Sequence, residues 1–208
     1  MTQAILAGFL IGIGDMILMS VTNQFVAAFL FCVALECVIY FELPLFTGMI
    51  GKLPWNRNWT GYLLALLFNV VGASFAVWLF TFLNPDSWYL VRSMADAKFA
   101  NTTYLSLFVA GVLCNVLIHL ACSTKHTIIV ALCIMAFILC GFEHSIADAP
   151  YMILTFNLKY AICWLLVLLG NTVGAICTEW MLVFAEAKDS YVEENDDTTD
   201  DFNTIEGE

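Results

Sequence analysis

Long apolar runs separated by short polar stretches dominate the chain, and their lengths predict membrane-spanning helices. Six spans follow from the pattern, at roughly 3–21, 24–43, 59–83, 102–122, 126–156 and 158–185. A helix of about 20 apolar residues crosses the hydrocarbon core of a bilayer. The second and fifth spans are interrupted. Phe41-Glu42-Leu43-Pro44-Leu45-Phe46-Thr47-Gly48 breaks the second, and the stretch 140–150, from Cys140 to Pro150, breaks the fifth. Proline and glycine free backbone groups from the helical ladder, and within a membrane those groups must be met by protein or by a water-filled cavity.

The two halves of the chain repeat. Ala7-Gly8 in the first span matches Ala110-Gly111 in the fourth at an offset of 103 residues. Leu67-Phe68-Asn69-Val70-Val71-Gly72-Ala73 in the third reads like Leu169-Gly170-Asn171-Thr172-Val173-Gly174-Ala175 in the sixth, at an offset of 102. The interruptions fall between these matches in both halves. Three spans per copy is an odd number, so the second copy enters the membrane from the opposite side. The prediction is an all-α membrane protein of six transmembrane helices, an inverted three-plus-three repeat with two broken helices and a pore where they meet.

Composition agrees with this. Hydrophobic residues make up 62% of the chain and charged residues 12%, against about 45–50% and about 25% in soluble domains. The net charge of −11 changes the picture less than its size implies. Ten of the eighteen acids lie in 186–208, against the single base Lys188. The expected organisation is a transmembrane channel domain over 1–185 and an acidic, disordered cytoplasmic tail over 186–208, with a docking role for the tail as the alternative. Nothing in the charge pattern points to nucleic acid. The eight cysteines sit in apolar stretches without a CxxC pair, which reads as packing thiols and predicts neither disulfides nor a metal cluster. Met1-Thr2-Gln3 lacks a basic region, so no cleaved signal peptide is expected. Lys52, Arg57, Lys125 and Lys188 on one side outnumber Arg92, Lys98 and Lys159 on the other. Under the positive-inside rule this places both termini in the cytoplasm of a multi-pass plasma (inner) membrane protein.

Candidate chemistry collects at the interruptions. His144 lies beside Glu143 and four residues before Asp148. Ionisable groups at membrane depth face a cavity or one another, and histidine titrates near neutral pH, so His144 reads as a donor to a passing solute. The alternative is a structural histidine tying down the backbone. Phe46 and Thr47 are its counterparts in the first interruption, an apolar gate and a hydroxyl. Asn69, Asn115 and Asn171 serve either packing or pore support. Gly8-x-x-x-Gly12 and Gly170-x-x-x-Gly174 are helix-packing motifs. An intramembrane enzyme using Glu143, His144 and Asp148 lacks both a nucleophile–base pair and a full metal-ligand set, so no catalytic residue, metal or cofactor is assigned.

Gly141-Phe142-Glu143-His144-Ser145-Ile146-Ala147 resembles the signature of the formate/nitrite transporter family, and Leu45-Phe46-Thr47-Gly48 is similar to its other pore-loop motif. Arg57-Asn58-Trp59, Gly111-Val112-Leu113-Cys114-Asn115 and Gly170-Asn171-Thr172-Val173-Gly174 follow in the order that family shows. The resemblance implies an aquaporin-like protomer assembled as a homo-pentamer in the lipid bilayer, with one pore per protomer for small monovalent species. It places the central histidine at His144 and the loop threonine at Thr47. It implies constrictions at Phe31 with Phe137 and at Leu35 with Phe46, pore asparagines at Asn115 and Asn171, and an anion-attracting lysine at Lys98. The chain also departs from the family. It begins almost inside the first span, where the family has an interfacial helix. Pro44 replaces an acid, Asp148 replaces an asparagine, and Glu36 adds an acid to the second span.

The function this implies is a channel for a small weak-acid anion of formate or nitrite type, crossing as the neutral acid with a proton relayed at His144. The extra acids leave an alternative open, a channel for a small neutral solute such as urea or ammonia. A carboxylate about 4 Å from a passing anion repels it by about 4 kcal/mol at an effective dielectric near 20, unless it is paired or protonated.

Overall fold

The computed structural model describes residues 1–83 and 86–203, with side chains described to residue 186. Among the described residues every regular element is a helix. The order is α1 (Thr2–Ser20), α2 (Gln24–Tyr40), α3 (Phe46–Met49) with a 3-10 turn at Ile50–Lys52, α4 (Trp59–Phe80), α5 (Asp86–Phe99), α6 (Tyr104–Thr124), α7 (Thr127–Leu139), α8 (Ser145–Leu154) and α9 (Leu158–Asn203). Among the described residues four segments are long and apolar enough to cross a membrane: Thr2–Ser20, Trp59–Phe80, Tyr104–Thr124 and Leu158–Glu186. The second and fifth expected spans are shorter apolar helices, Gln24–Tyr40 and Thr127–Leu139. The acidic tail expected over 186–208 falls almost wholly on residues whose side chains, or whose whole placement, lie outside the described set.

The two short apolar helices end in the same way. Glu42 and Gly141 both adopt the left-handed conformation, at φ 51° and φ 69°. The following amides reach back: Leu43 N–H donates to Val38 O at 2.9 Å and Phe142 N–H to Phe137 O at 2.9 Å. This is the Schellman termination, which satisfies the last carbonyls of a helix. Gly141 takes the positive φ without steric cost, whereas Glu42 does so against the preference of a residue with a Cβ. Each turn gives way to a short extended link and then a new helix, α3 or α8.

The interruptions are shorter than the sequence pattern implies. Helix resumes at Phe46 in the first and at Ser145 in the second, so Thr47, Gly48 and Pro150 lie inside helices. His144 makes the second restart possible by acting as the N-cap of α8, its ring nitrogen accepting from Ala147 N–H. Pro150, the sixth residue of α8, removes its own backbone donor and crowds the carbonyl of Ile146. A further helix, α5, replaces the loop expected between the third and fourth spans. Its buried Ser87, Val91, Ala95 and Phe99 recur every four residues, the spacing of one helix face. The segment is too polar to read as a span, so hydropathy passes over it.

α1 packs along α4 and α6 along α9, while α2 and α7 lie against each other. Glycine makes the long contacts close. A Cβ on Gly8 would stand 1.9 Å from the Asn69 carbonyl oxygen, and one on Gly72 would stand 2.0 Å from that of Ile5. At the α6–α9 contact, a Cβ on Gly170 or Gly174 would lie 2.3 Å from the carbonyl of Phe108 or Val112. The small-residue motifs therefore pack helices, as expected. The core contains Ile11, Phe31, Leu35, Phe46, Ile134 and Phe137. Many large apolar side chains point outward, among them Phe29, Leu67, Leu105 and Leu132. That is the arrangement of a chain whose surroundings are lipid or other apolar surface.

Candidate functional site

The restarts of α3 and α8 converge, and two asparagines hold them in place by the same pattern. Asn69 of α4 accepts from Phe46 N–H, the first residue of α3, at 2.8 Å. Its amide donates to Pro44 O at 2.9 Å and to Ala4 O of α1 at 2.8 Å. Asn171 of α9 accepts from Ser145 N–H, the first residue of α8, at 2.8 Å. Its amide donates to Glu143 O at 2.9 Å and to Gly111 O of α6 at 2.8 Å. Each asparagine thus closes two backbone groups at a helix restart and ties them to a carbonyl of a neighbouring continuous helix, α1 or α6. Asn115 ties the halves together, donating to Thr47 O at 3.0 Å and to Asn171 O at 2.8 Å.

At the centre, Thr47 Oγ1 and His144 Nε2 are 2.8 Å apart and both residues are buried. His144 Nδ1 accepts from Ala147 N–H at 3.3 Å. With Nδ1 committed as an acceptor, the neutral ring carries its hydrogen on Nε2 and donates to Thr47, a tautomer assigned from the hydrogen-bond pattern. Phe137 lies over His144 with ring centroids 6.2 Å apart, and Phe31 meets Phe137 edge to face at 6.1 Å. Leu35 and Phe46 are buried in the same core.

Cavities lie on both sides of this pair. One of about 330 Å³ is lined by Asp15, Phe31, Lys98, Phe137, His144 and Asp148, among others. The other, about 350 Å³, is lined by residues including Gln3, Val38, Pro44, Leu45 and Lys125. Asp15 and Gln3 belong to opposite ends of α1, about 18 Å apart at 1.5 Å per residue. Glu36 is half-buried and lines neither of these two cavities.

Lys98, at the end of α5, donates to the Glu143 carboxylate and lies 2.9 Å from Asp148 Oδ1. The repulsive carboxylate anticipated at position 148 is therefore charge-paired by Lys98. Two groups of this region escaped the sequence reading. Asp15 is buried on α1, and Tyr151 is buried on α8 with its hydroxyl unpartnered. An acid inside an otherwise apolar span was the available signal for Asp15; nothing in the sequence marks Tyr151.

Fold and site together define a helical membrane protein whose buried polar centre lies between two cavities. Comparison with known proteins gives the family. The formate/nitrite transporter profile matches residues 1–185. The nitrite transporter NirC of Escherichia coli (strain K12) is 28% identical over 210 residues, covering 82% of this chain and 77% of that protein. NirC of Salmonella typhimurium is 27% identical over 209 residues, with the same coverage. Among solved structures, an FNT family ion channel superposes with a TM-score of 0.76 at 24% identity, covering 88% of each chain. A pentameric formate channel with formate bound gives a TM-score of 0.72 at 19% identity, over 89% of this chain and 95% of that one. At these identities the structural matches speak for the fold. The chain belongs to the formate/nitrite transporter family, whose members are membrane channels and transporters rather than enzymes.

Proposed function

We propose that the chain is a pentameric plasma-membrane channel for a small weak-acid anion of formate or nitrite class. Its protomer would be an inverted three-plus-three repeat in which α2 with α3 and α7 with α8 are the two broken helices. The two Schellman turns at Glu42 and Gly141 and the matched asparagines Asn69 and Asn171 support the repeat. The similar proteins, a nitrite transporter and a formate channel, support the solute class.

The observation that carries the reading is the Thr47–His144 contact at 2.8 Å between the two cavities. Here a solute leaving either cavity meets the Thr47 hydroxyl as a hydrogen-bond donor, its oxygen already accepting from the His144 N–H. The N-terminus of α8 directs its positive end at the same place, which favours negative charge. On either side, Phe31 with Phe137 and Leu35 with Phe46 form apolar constrictions that strip water. A bare anion crosses such a layer at high cost, so the neutral acid is the form that passes. A relayed proton enters His144 at Nδ1, displacing the long 3.3 Å hydrogen bond from Ala147.

Lys98 lies in the cavity wall, so it drops out of the loop charge count. Four cations then stand against Arg92 and Lys159, which strengthens the reading of cytoplasmic termini. A neutral, donor-rich solute such as urea is the second reading, favoured by the carboxylates Asp15 and Asp148 in the cavity wall. Pro44 and Glu36 lend it nothing. The Pro44 carbonyl is taken by Asn69, and Glu36 lies off both cavities.

Uptake of formate, nitrite and urea into proteoliposomes from acid to neutral pH separates the readings. Formate or nitrite entry that rises with acidity supports the weak-acid channel, and urea entry with little anion flux rejects it. His144→Ala should weaken the pH response; an unchanged response sinks the relay at His144.

A further inference from the structure

The charges around the first cavity do not balance. Asp15 and Asp148 line it, Glu143 shares Lys98 with Asp148, and among the described residues Lys98 is the one ammonium set among these three carboxyls. Lys98 already serves both Glu143 and Asp148. Asp15 is 1% exposed, and its Oδ2 has no hydrogen-bond partner. Asp148 is 0% exposed and shares Lys98, 2.9 Å from its Oδ1, with Glu143. The Tyr151 hydroxyl, also buried in this wall, has no partner either. Fully ionised, the group would hold two unmatched negative charges in a buried place, and buried charge is retained only when paired or neutralised. His144 supplies no compensation, because its neutral ring has both nitrogens engaged.

We infer that Asp15 and Asp148 form a proton-binding site in this cavity, distinct from His144, which takes up a proton from the adjoining solution. Loading forms one O–H bond on a carboxylate. Unloading breaks that bond and forms another on an oxygen of the solute anion, which leaves as the neutral acid while the carboxylate is restored. An unloaded cavity repels an anion and a loaded one offers it a donor. The solute half of this inference rests on the weak-acid reading above, and the proton half does not. The charged and titratable groups around Asp15 are Lys98 from α5, His144 from the link before α8, and Asp148 and Tyr151 from α8, with Glu143 joined to them through Lys98. Cys114 of α6 stands near Asp148. From α2 the wall receives Gln24, Ala27 and Phe31, none of which titrates in this range.

The test uses the full chain in proteoliposomes, with two readouts. Infrared difference spectra between acid and alkaline buffer report the carbonyl stretch of a protonated buried carboxyl. That band should be present in the unaltered protein, lost in Asp15→Asn and restored at a shifted position in Asp15→Glu. The ratio of acid to alkaline formate uptake should fall about tenfold in Asp15→Asn, the size of effect one screened unit charge exerts across a cavity. It falls because alkaline uptake rises once that charge is gone. Spectra unchanged by Asp15→Asn overturn the site, whatever solute crosses. A band that disappears while urea rather than formate is transported sustains the site and rejects the anion reading. Uptake that follows sodium instead of pH, with no carboxyl band, overturns the site in favour of a bound cation. If Asp15→Asn does not assemble, Asp15→Glu alone decides: a band that fails to shift overturns the inference.

Discussion

Replacing Asn171 with leucine removes a side chain of similar volume but leaves three backbone groups without their partner. These are Gly111 O, Glu143 O and Ser145 N–H, held now at 2.8, 2.9 and 2.8 Å. Interhelical hydrogen bonds in membranes average about 0.6 kcal/mol in double-mutant cycles, which for three gives about 2 kcal/mol. Stranding a buried polar group costs about 1–3 kcal/mol, which for the two without a helical partner gives about 2–6 kcal/mol. The second scale applies to them. Glu143 O, in the link before α8, and Ser145 N–H, at the start of α8, have no ladder partner to return to, whereas Gly111 O lies inside α6. Asn171→Leu should therefore destabilise the protein by about 2 kcal/mol or more. For a chain of this length each kcal/mol lowers the midpoint by roughly 2–4 °C, so the loss should exceed about 4 °C. Thermal unfolding in detergent, followed by tryptophan fluorescence, measures it. Asn69→Leu should match, because it strands Phe46 N–H and Pro44 O in the same way. A drop below about 2 °C in both variants would refute the claim that the asparagines carry the interruptions.

Three further outcomes follow from the same geometry. Gly8→Val should prevent α1 from seating on α4, since even a Cβ would stand 1.9 Å from the Asn69 carbonyl; a cost of about 3 kcal/mol or more should appear as lost assembly by size-exclusion chromatography. Thr47→Val should leave the fold intact, because Asn115 binds the Thr47 carbonyl rather than its hydroxyl. Its solute flux should fall about tenfold, the worth of one hydrogen bond of about 1.4 kcal/mol; wild-type flux in a stopped-flow vesicle assay counts against the Thr47–His144 pair as the point of passage. Asp148→Asn keeps the shape and frees Lys98 of one of its two carboxylate partners. Formate or nitrite flux at neutral pH should rise several-fold, and an unchanged rate would show that this charge does not oppose the anion.

Hydropathy, repetition and two short motifs determined much of this protein from its sequence. The energy of moving a side chain from water to lipid is nearly a local property of the residue, so apolar runs mark the spans directly. The pair Asn69 and Asn171 is visible because both sit inside such runs, where an amide needs a partner. Phe46-Thr47 and Glu143-His144 are visible because Pro44 and Gly141 interrupt the pattern beside them. What the sequence misplaced are local competitions. α8 begins at Ser145 because the His144 ring caps it, and it tolerates Pro150 because the rest of the helix is held by Asn171 and by Trp164, whose indole donates to Ser145 O at 2.7 Å. α5 is amphipathic rather than apolar, so a scale of lipid transfer does not register it.

Tertiary structure alone decided the electrostatics of the site. Lys98 stands 45 residues from Glu143 and 50 from Asp148 along the chain, yet it meets both. Asp15 reaches the same cavity from the other half of the molecule. Charge pairing depends on distances in space between groups that no local pattern links. The sequence could therefore present Asp148 as a barrier to anions, while the fold surrounds it with a lysine, a second buried carboxyl and an unpartnered hydroxyl.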